Sequence, residues 1–470
     1  MKNKLLHIVF ILVLFQVSLL KAQDTTLQNI DAKTYKLYTE KNWHKLIKLS
    51  KYALDNDVDY YYLRMRLGIA YYEQHRYNLA YQQFKKAKRF DDNDLLNEYL
   101  YYSYLFGKNY TEAEELSYYF SDELKTKLGI SEPKKVISAE IIYAGLINND
   151  YQELKDFRYE APYKFILNNR FRNDYNYFYG LNLKLRLNKN YSSTISYGKL
   201  VQNKTQIFQD HDYLQDTSII QEISNTTKQG NLYFNLVYSS LKFNWFVGLN
   251  FVHVNDNYVK LIDVEPEYQK EEVAERYTDA IISAGFTVNT TFFAAGLDAG
   301  AANLGAQRQL QFGGSIYLYP KANKNIVIYA MPVFQNISEN VFIPDVGRRG
   351  RYERSTLENN FVIRTGITSK IYKSFFINFN AYFGRINQLN DDIGYLVFND
   401  IDVITSIYSA RLSFNITKKI SAFVSYSYSE REHEYQTINY FIPLPPTVID
   451  ESGIINITNQ SIIGGIKWSF

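Results

Sequence analysis

The feature that most constrains the fold is the end of the chain, where Ile462, Gly464, Ile466, Trp468 and Phe470 alternate with Ile463, Gly465, Lys467 and Ser469. A period of two places successive side chains on opposite faces of a strand. One face here is mostly apolar and finishes on two aromatics, while the other finishes on Lys467 and Ser469. That asymmetry suits a strand with lipid on one side and a polar lumen on the other, its terminal aromatics lying where lipid meets water.

The pattern is not confined to the terminus. From Val136 onward the hydrophobic period changes from helical spacing to alternation and stays there. Ile420, Ala422, Val424, Tyr426 and Tyr428 alternate with Ser421, Phe423, Ser425, Ser427 and Ser429; Ile404, Tyr408, Ala410, Leu412 and Phe414 form the apolar face of the preceding segment. Strands are expected at about 136–148, 173–187, 190–204, 228–240, 242–256, 276–289, 291–303, 306–319, 322–337, 357–370, 372–388, 401–416, 418–432 and 456–470. The count is about fourteen; a further strand could lie at 163–172. Tight connections fall at 188–190, 239–241, 289–291, 320–322, 369–371 and 417–418, and long ones at 149–172, 205–227, 257–275, 338–356, 389–400 and 433–455. Short turns at one end, long loops at the other and an even strand number are what a single-chain membrane barrel requires. The 44 tyrosines and 31 phenylalanines, with aromatics at 17% of the chain, supply two interfacial girdles. A sandwich or propeller would use strands nearer 5–6 residues.

The first residues read Met1, Lys2, Asn3 and Lys4, then a largely apolar run over 5–20, then Lys21, Ala22 and Gln23. This is the order of a secretory signal peptide, assigned to 1–22 with cleavage after Ala22. The chain contains no cysteine, so neither a disulfide framework nor a lipidated cysteine is expected.

Between the leader and the alternating region, Glu40-Lys-Asn-Trp43, Gln74-His-Arg-Tyr77 and Gly107-Lys-Asn-Tyr110 recur at spacings of 34 and 33 residues. Small or apolar residues follow in register at Leu46, Ala80 and Ala113, then at Ala53 and Ala87. The middle copy, with Leu67, Gly68, Tyr71, Ala80, Phe84 and Ala87, resembles the tetratricopeptide repeat; it departs from that family at Arg64, where an aromatic is usual, and at Asp92, where proline is usual. Three helix pairs over 23–130 are therefore expected. If the family's geometry carries over, the first helix of each pair lines a concave surface that points to Tyr35, Tyr38, Met65, Ile69, Tyr72 and Tyr102 as a partner-binding groove, or these side chains simply fill helix contacts.

The expected fold is thus α plus membrane β: a leader at 1–22, a short tetratricopeptide-like α-solenoid at 23–130 and a transmembrane antiparallel barrel at 131–470. Ile466, Trp468 and Phe470 resemble the terminal signature of bacterial outer-membrane proteins and stand as an insertion signal. That resemblance implies an outer-membrane location, with the helical repeats in the periplasm. Arg364, Arg385, Arg411 and Lys467 fall on strands, and because an arginine or lysine facing lipid near the midplane costs about 2–4 kcal/mol, they are expected to face the lumen.

The net charge of +3 is small and its basic residues scattered, which excludes a nucleic-acid partner. No nucleophile elbow, phosphate loop or zinc motif occurs, so neither an enzyme, a cofactor nor a metal site is expected. His433 sits in Glu430-Arg-Glu-His-Glu-Tyr435 and reads as part of a solvated charge run. The acidic stretch 265–275 and the basic stretch 347–354 either pair, bind lipopolysaccharide phosphates or stay hydrated.

The order of leader, repeats and barrel resembles the surface-lipoprotein assembly modulators, the exopolysaccharide exporters and the YaiO-like barrels. That resemblance implies an accessory of outer-membrane protein or lipoprotein transport and assembly, with a protein client or partner at the repeats, outer-membrane lipid and lipopolysaccharide around the barrel, and a place in a larger complex. The alternatives are a pore or exporter for small solutes or glycans, and a scaffold with a filled lumen.

Overall fold

The computed structural model describes residues 26–130, 134–148, 165–212, 217–264, 267–305, 307–344, 351–372, 374–386, 388–398, 402–440 and 448–470. The leader expected at 1–22 and the whole of the basic stretch 347–354 lie outside the described side chains. The chain divides into two units, one built around residues up to 133 and one comprising most of the remainder.

The first unit contains seven helices among the described residues: α1 (Leu27–Thr39), α2 (Trp43–Asp55), α3 (Tyr61–Glu73), α4 (Tyr77–Ala87), α5 (Asp94–Phe106), α6 (Tyr110–Ser117) and α7 (Asp122–Leu128). Each of the three recurring turns places one residue in left-handed backbone: Lys41 at φ 53°, His75 at 57° and Lys108 at 59°. The turn motif therefore repeats in geometry as well as in sequence. Gly68 lies so near the Phe84 ring that an added Cβ would sit 2.5 Å from it, which is why a residue without a side chain occupies that helix crossing. Arg64, the departure from the repeat pattern, is buried. Its guanidinium donates to Asp59 at 2.7 and 2.6 Å and to Gln83 Oε1 at 2.7 Å, so a charged fork replaces the usual ring. Leu46, Leu63, Leu67, Phe84, Leu96 and Leu100 form the buried apolar interior. The turn residues 290–293 and 319–326 belong to this same unit, in which Asn78 N–H donates to Ala322 O at 2.9 Å and Lys324 Nζ to Asn109 Oδ1 at 3.1 Å.

The second unit is a closed antiparallel barrel. Its strands are β1 (Val136–Asn148), β2 (Phe165–Arg186), β3 (Tyr191–Asp212), β4 (Thr217–Ser239), β5 (Phe243–Val264), β6 (Glu267–Asn289), β7 (Phe293–Leu304), β8 (Gln307–Leu318), β9 (Ile326–Pro344), β10 (Arg351–Tyr372) and β11 (Phe375–Ile386), followed after a two-stranded inner hairpin by β14 (Val403–Asn415), β15 (Ile420–Tyr440) and β16 (Val448–Ser469). These fourteen strands pair in sequence order, and β1 closes the circle on β16 from Ser138 opposite Ser469 to Asn148 opposite Asn459.

Alternation sets the faces. Phe312 and Trp468 are 61% and 49% exposed on the outside, with Ile141, Phe334, Tyr426 and Ile466 exposed around the same wall, while Ser425, Ser429, Asn250 and Asn459 are buried inside. A barrel whose backbone pairing is closed and whose outer side chains are large and apolar is built for a bilayer. Phe470 N–H donates to Ile137 O at 3.1 Å, and its ring stacks on Trp468 at 6.3 Å, so the terminal aromatics are tied to the seam where the barrel closes.

Three expectations change. The segments 205–227, 257–275 and 433–455 are not long loops, because β3–β4, β5–β6 and β15–β16 continue as paired hairpins through most of them. Polar composition suggested loops, but a two-stranded ladder in water satisfies its own backbone whatever its side chains. The extra strand at 163–172 is an extension of β2. Ile404, expected on the apolar outer face, is buried inside, because the register shifts between Ile404 and Ser406.

Candidate functional site in the barrel lumen

Residues 389–398 of the segment expected as an outer loop at 389–400 fold into the barrel instead, and 399–400 lie outside the described residues. Asn390–Asp391 forms β12 and Leu396–Val397 forms β13, paired Asn390 to Val397 and Asp391 to Leu396 around a tight turn, Asp392–Gly394. Asp392, Ile393 and Gly394 all have positive φ, at 47°, 67° and 79°. A branched residue such as Ile393 in left-handed backbone is strained, of order 1–3 kcal/mol, and persists only where the surroundings over-determine it.

Those surroundings are inward residues of the wall. Gln311 makes two bonds to Asn390, its Nε2 donating to the carbonyl and its Oε1 accepting from the N–H, both at 2.8 Å, which imitates a strand pairing. Gln335 Nε2 donates to Gln388 O at 3.1 Å. Asn250 Nδ2 donates to Gly394 O at 2.8 Å, and Tyr395 OH to Asn182 Oδ1 at 3.1 Å. Gly248 leaves room for the tip, since any Cβ there would overlap Ile393 O. Apolar contacts hold the two stems: Leu389 and Phe398 pack with Val362, Tyr382, Ile386, Ile404 and Ile407, and Val397 packs with Val252, Val254, Ile281 and Leu304.

Charge fixes the tip. Arg364 Nη1 donates to Asp391 Oδ2 at 2.9 Å and to Asp392 Oδ1 at 2.8 Å, and Tyr382 OH donates to Asp391 Oδ2 at 2.6 Å. The guanidinium also lies over the Tyr382 and Tyr329 rings at 5.3 and 5.8 Å. One arginine thus holds two adjacent carboxylates: Asp391 is largely buried, where a lost partner is expensive, while Asp392 is half-exposed.

Two cavities border the segment. One, of about 430 Å³, is lined by Arg364, Tyr382, Phe398, Ser409, Arg411 and Ser425 among others. The second, of about 270 Å³, is lined by Ser138, Lys184 and Lys467 from the ends of the wall near the barrel termini and by Ile393 and Tyr395 from the tip. Asp392 lines both, so the turn stands between them.

The residues singled out by sequence are placed as follows. Arg364 joins the tip, Arg411 lies over the Phe423 ring at 3.4 Å and 4.0 Å from Glu140, and Lys467 lines the smaller cavity. Arg385 borders neither cavity. It is half-exposed beside Gly384, whose φ of 119° interrupts the pairing of β11, and its charge is met by Glu432 at 3.3 Å and Glu358 at 3.6 Å. Ile466, Trp468 and Phe470 are exposed on the outer wall. In the helical unit Tyr35 is exposed and Tyr38, Tyr72 and Tyr102 are partly buried, but Met65 and Ile69 are 5% and 7% exposed and pack within the helices, so these two side chains offer a partner little surface.

His433 is not part of a solvated run. It is buried, with Nδ1 2.7 Å from Asp402 Oδ1, because its position on β15 turns it inward. The residues that sequence reasoning missed are Asp391, Asp392, Tyr382, Gln311 and Gln335. A signal was available: Leu389, Leu396, Val397 and Phe398 flank the acidic turn, and a loop in open water has no use for four apolar side chains.

No family model matches the chain, the tetratricopeptide repeat included, and no curated protein matches it in sequence. Among solved structures, the chain is similar to the Pseudomonas putida toluene transporter TodX, with 8% identity, a TM-score of 0.42 and coverage of 72% of this chain and 90% of that one. The Ralstonia pickettii toluene transporter TbuX gives 10%, 0.39, 71% and 90%, and a Pseudomonas aeruginosa FadL homologue gives 8%, 0.40, 71% and 90%.

Proposed function

We propose that this chain is an outer-membrane channel for small solutes in which residues 388–398 are the gate. The observation that carries the reading is the turn Asp392–Gly394, which lies between two cavities and is held by contacts that can be broken one at a time. A lumen filled as a scaffold would have no reason to strain Ile393, a branched residue, at an acidic tip. A gate has one, because a strained, ion-paired segment has a second position within a few kcal/mol. This reading takes precedence over an assembly accessory, whose support is confined to the helical unit. There, Tyr35 and Tyr62 remain 56% and 61% exposed and hold Arg66 between them, a surface that suits a protein partner in the periplasm.

The test is conductance in planar bilayers. Gly248→Val pushes against Ile393, and Arg364→Gln leaves Asp391 and Asp392 without their cation; each is expected to raise open-channel current several-fold over the unaltered protein. Barrels that insert and show heat-modifiable migration yet stay silent in both variants would overturn the gate.

A further inference from the structure

We infer that the cavity of about 270 Å³ beneath the gate is a binding site for a small oxyanion such as inorganic phosphate. The inference rests on the channel reading in treating this cavity as part of the solute's path. Its lining carries four charged groups: Glu140, Lys184, Asp392 and Lys467. Both carboxylates are already engaged. Glu140 accepts from Asn182 Nδ2 at 3.0 Å and lies 4.0 Å from Arg411, and Asp392 accepts from Arg364 at 2.8 Å. Lys184 and Lys467, by contrast, have no carboxylate within ion-pair distance among the described residues. They flank β1 on neighbouring strands, Lys184 opposite Ser138 and Lys467 opposite Glu140, so two ammonium groups line one cavity from either side of β1. Like charges in a partly desolvated site are unfavourable, and an anion between them reverses the sign of the interaction.

The neutral lining fits the same ligand. Ser196 is buried, and its Oγ has no hydrogen-bond partner although it borders the cavity. A buried hydroxyl left unsatisfied costs about 1–3 kcal/mol, which a ligand oxygen removes. Ser138 on β1 and Thr194 on β3 add two hydroxyls. Two cations with several hydroxyl donors form a charge-assisted site for a tetrahedral or planar oxyanion, whereas a neutral solute would leave the lysines unmatched.

Isothermal titration of the full-length protein in detergent with inorganic phosphate, and with glucose as a neutral probe, tests this directly. Lys184→Gln and Lys467→Gln are each expected to weaken phosphate binding about tenfold, the loss of one charge-assisted contact, while Lys467→Arg retains it. Heat-modifiable migration checks that every variant forms its barrel. Phosphate binding that is absent, or equal in the unaltered protein and in the double glutamine variant, overturns the site. Because the titration needs no open channel, lysine-dependent binding in a non-conducting protein would uphold the site and remove the channel. Conduction without lysine-dependent binding would do the reverse.

Discussion

The two units of this chain bury opposite chemistries. In the helices, Leu63, Leu67 and Phe84 are inside, and tyrosines such as Tyr62 reach outward. In the barrel, Phe312 and Phe334 are outside, whereas Lys204, only 2% exposed, is paired with Asp256 at 3.0 Å, and Gln206 is fully buried with bonds to Asn169 and Val259. Both arrangements follow one rule, that a side chain faces the medium it is least costly in, but the medium differs. The helices are built for water outside, and the barrel for lipid outside with polar groups meeting one another inside. Burial therefore identifies a hydrophobic core in one unit and a polar interior in the other.

The comparison breaks most visibly in the helical core. Phe84→Ala removes the ring that closes on Gly68 and is expected to cost about 3–5 kcal/mol, read as loss of the helical melting transition by circular dichroism while heat-modifiable barrel migration is unchanged. On the barrel exterior the same logic is inverted: Phe312→Arg exposes a guanidinium to lipid and should cost up to about 4 kcal/mol, reported by the folded fraction in a urea titration in lipid vesicles. If Phe312→Arg were neutral, the wall at β8 would not face lipid. The smallest effect sharpens the contrast. Tyr35→Ser with Tyr62→Ser removes two exposed rings around Arg66 and should shift helical stability by only about 1 kcal/mol, because exposed cation–π contacts are weak. The same pair is expected to abolish recovery of a periplasmic partner in cross-linking from intact cells. Unchanged recovery would refute a partner surface there.

Legibility followed the range of the physics involved. Local backbone geometry was readable: the turn motif at Lys41, His75 and Lys108, the period change at Val136 and the outward face of β15 were all visible in residue spacing. The ends of the hairpins were not, because Glu271, Glu272 and Glu275 read as loop although their backbones pair along β5. The inner segment 388–398 was legible only in part. Arg364 stood out as a charge on a strand, but its partners Asp391 and Asp392 lay in a stretch whose polarity suggested exposure.

By itself, the sequence determined that a helical segment precedes a closed sheet with lipid outside. The physical reason is that side-chain alternation and turn spacing are properties of the backbone repeat and need no knowledge of distant residues. Only the tertiary structure decided what stands in the lumen. Gln311 meets Asn390 and Asn182 meets Tyr395 across 79 and 213 residues of chain, and a polar side chain reads the same whether it faces open water or a polar interior. The terminal alternation that ends on Phe470 placed Lys467 on the inner face; which cavity it enters, and that Lys184 stands beside it, came from closing the barrel at β1 and β16.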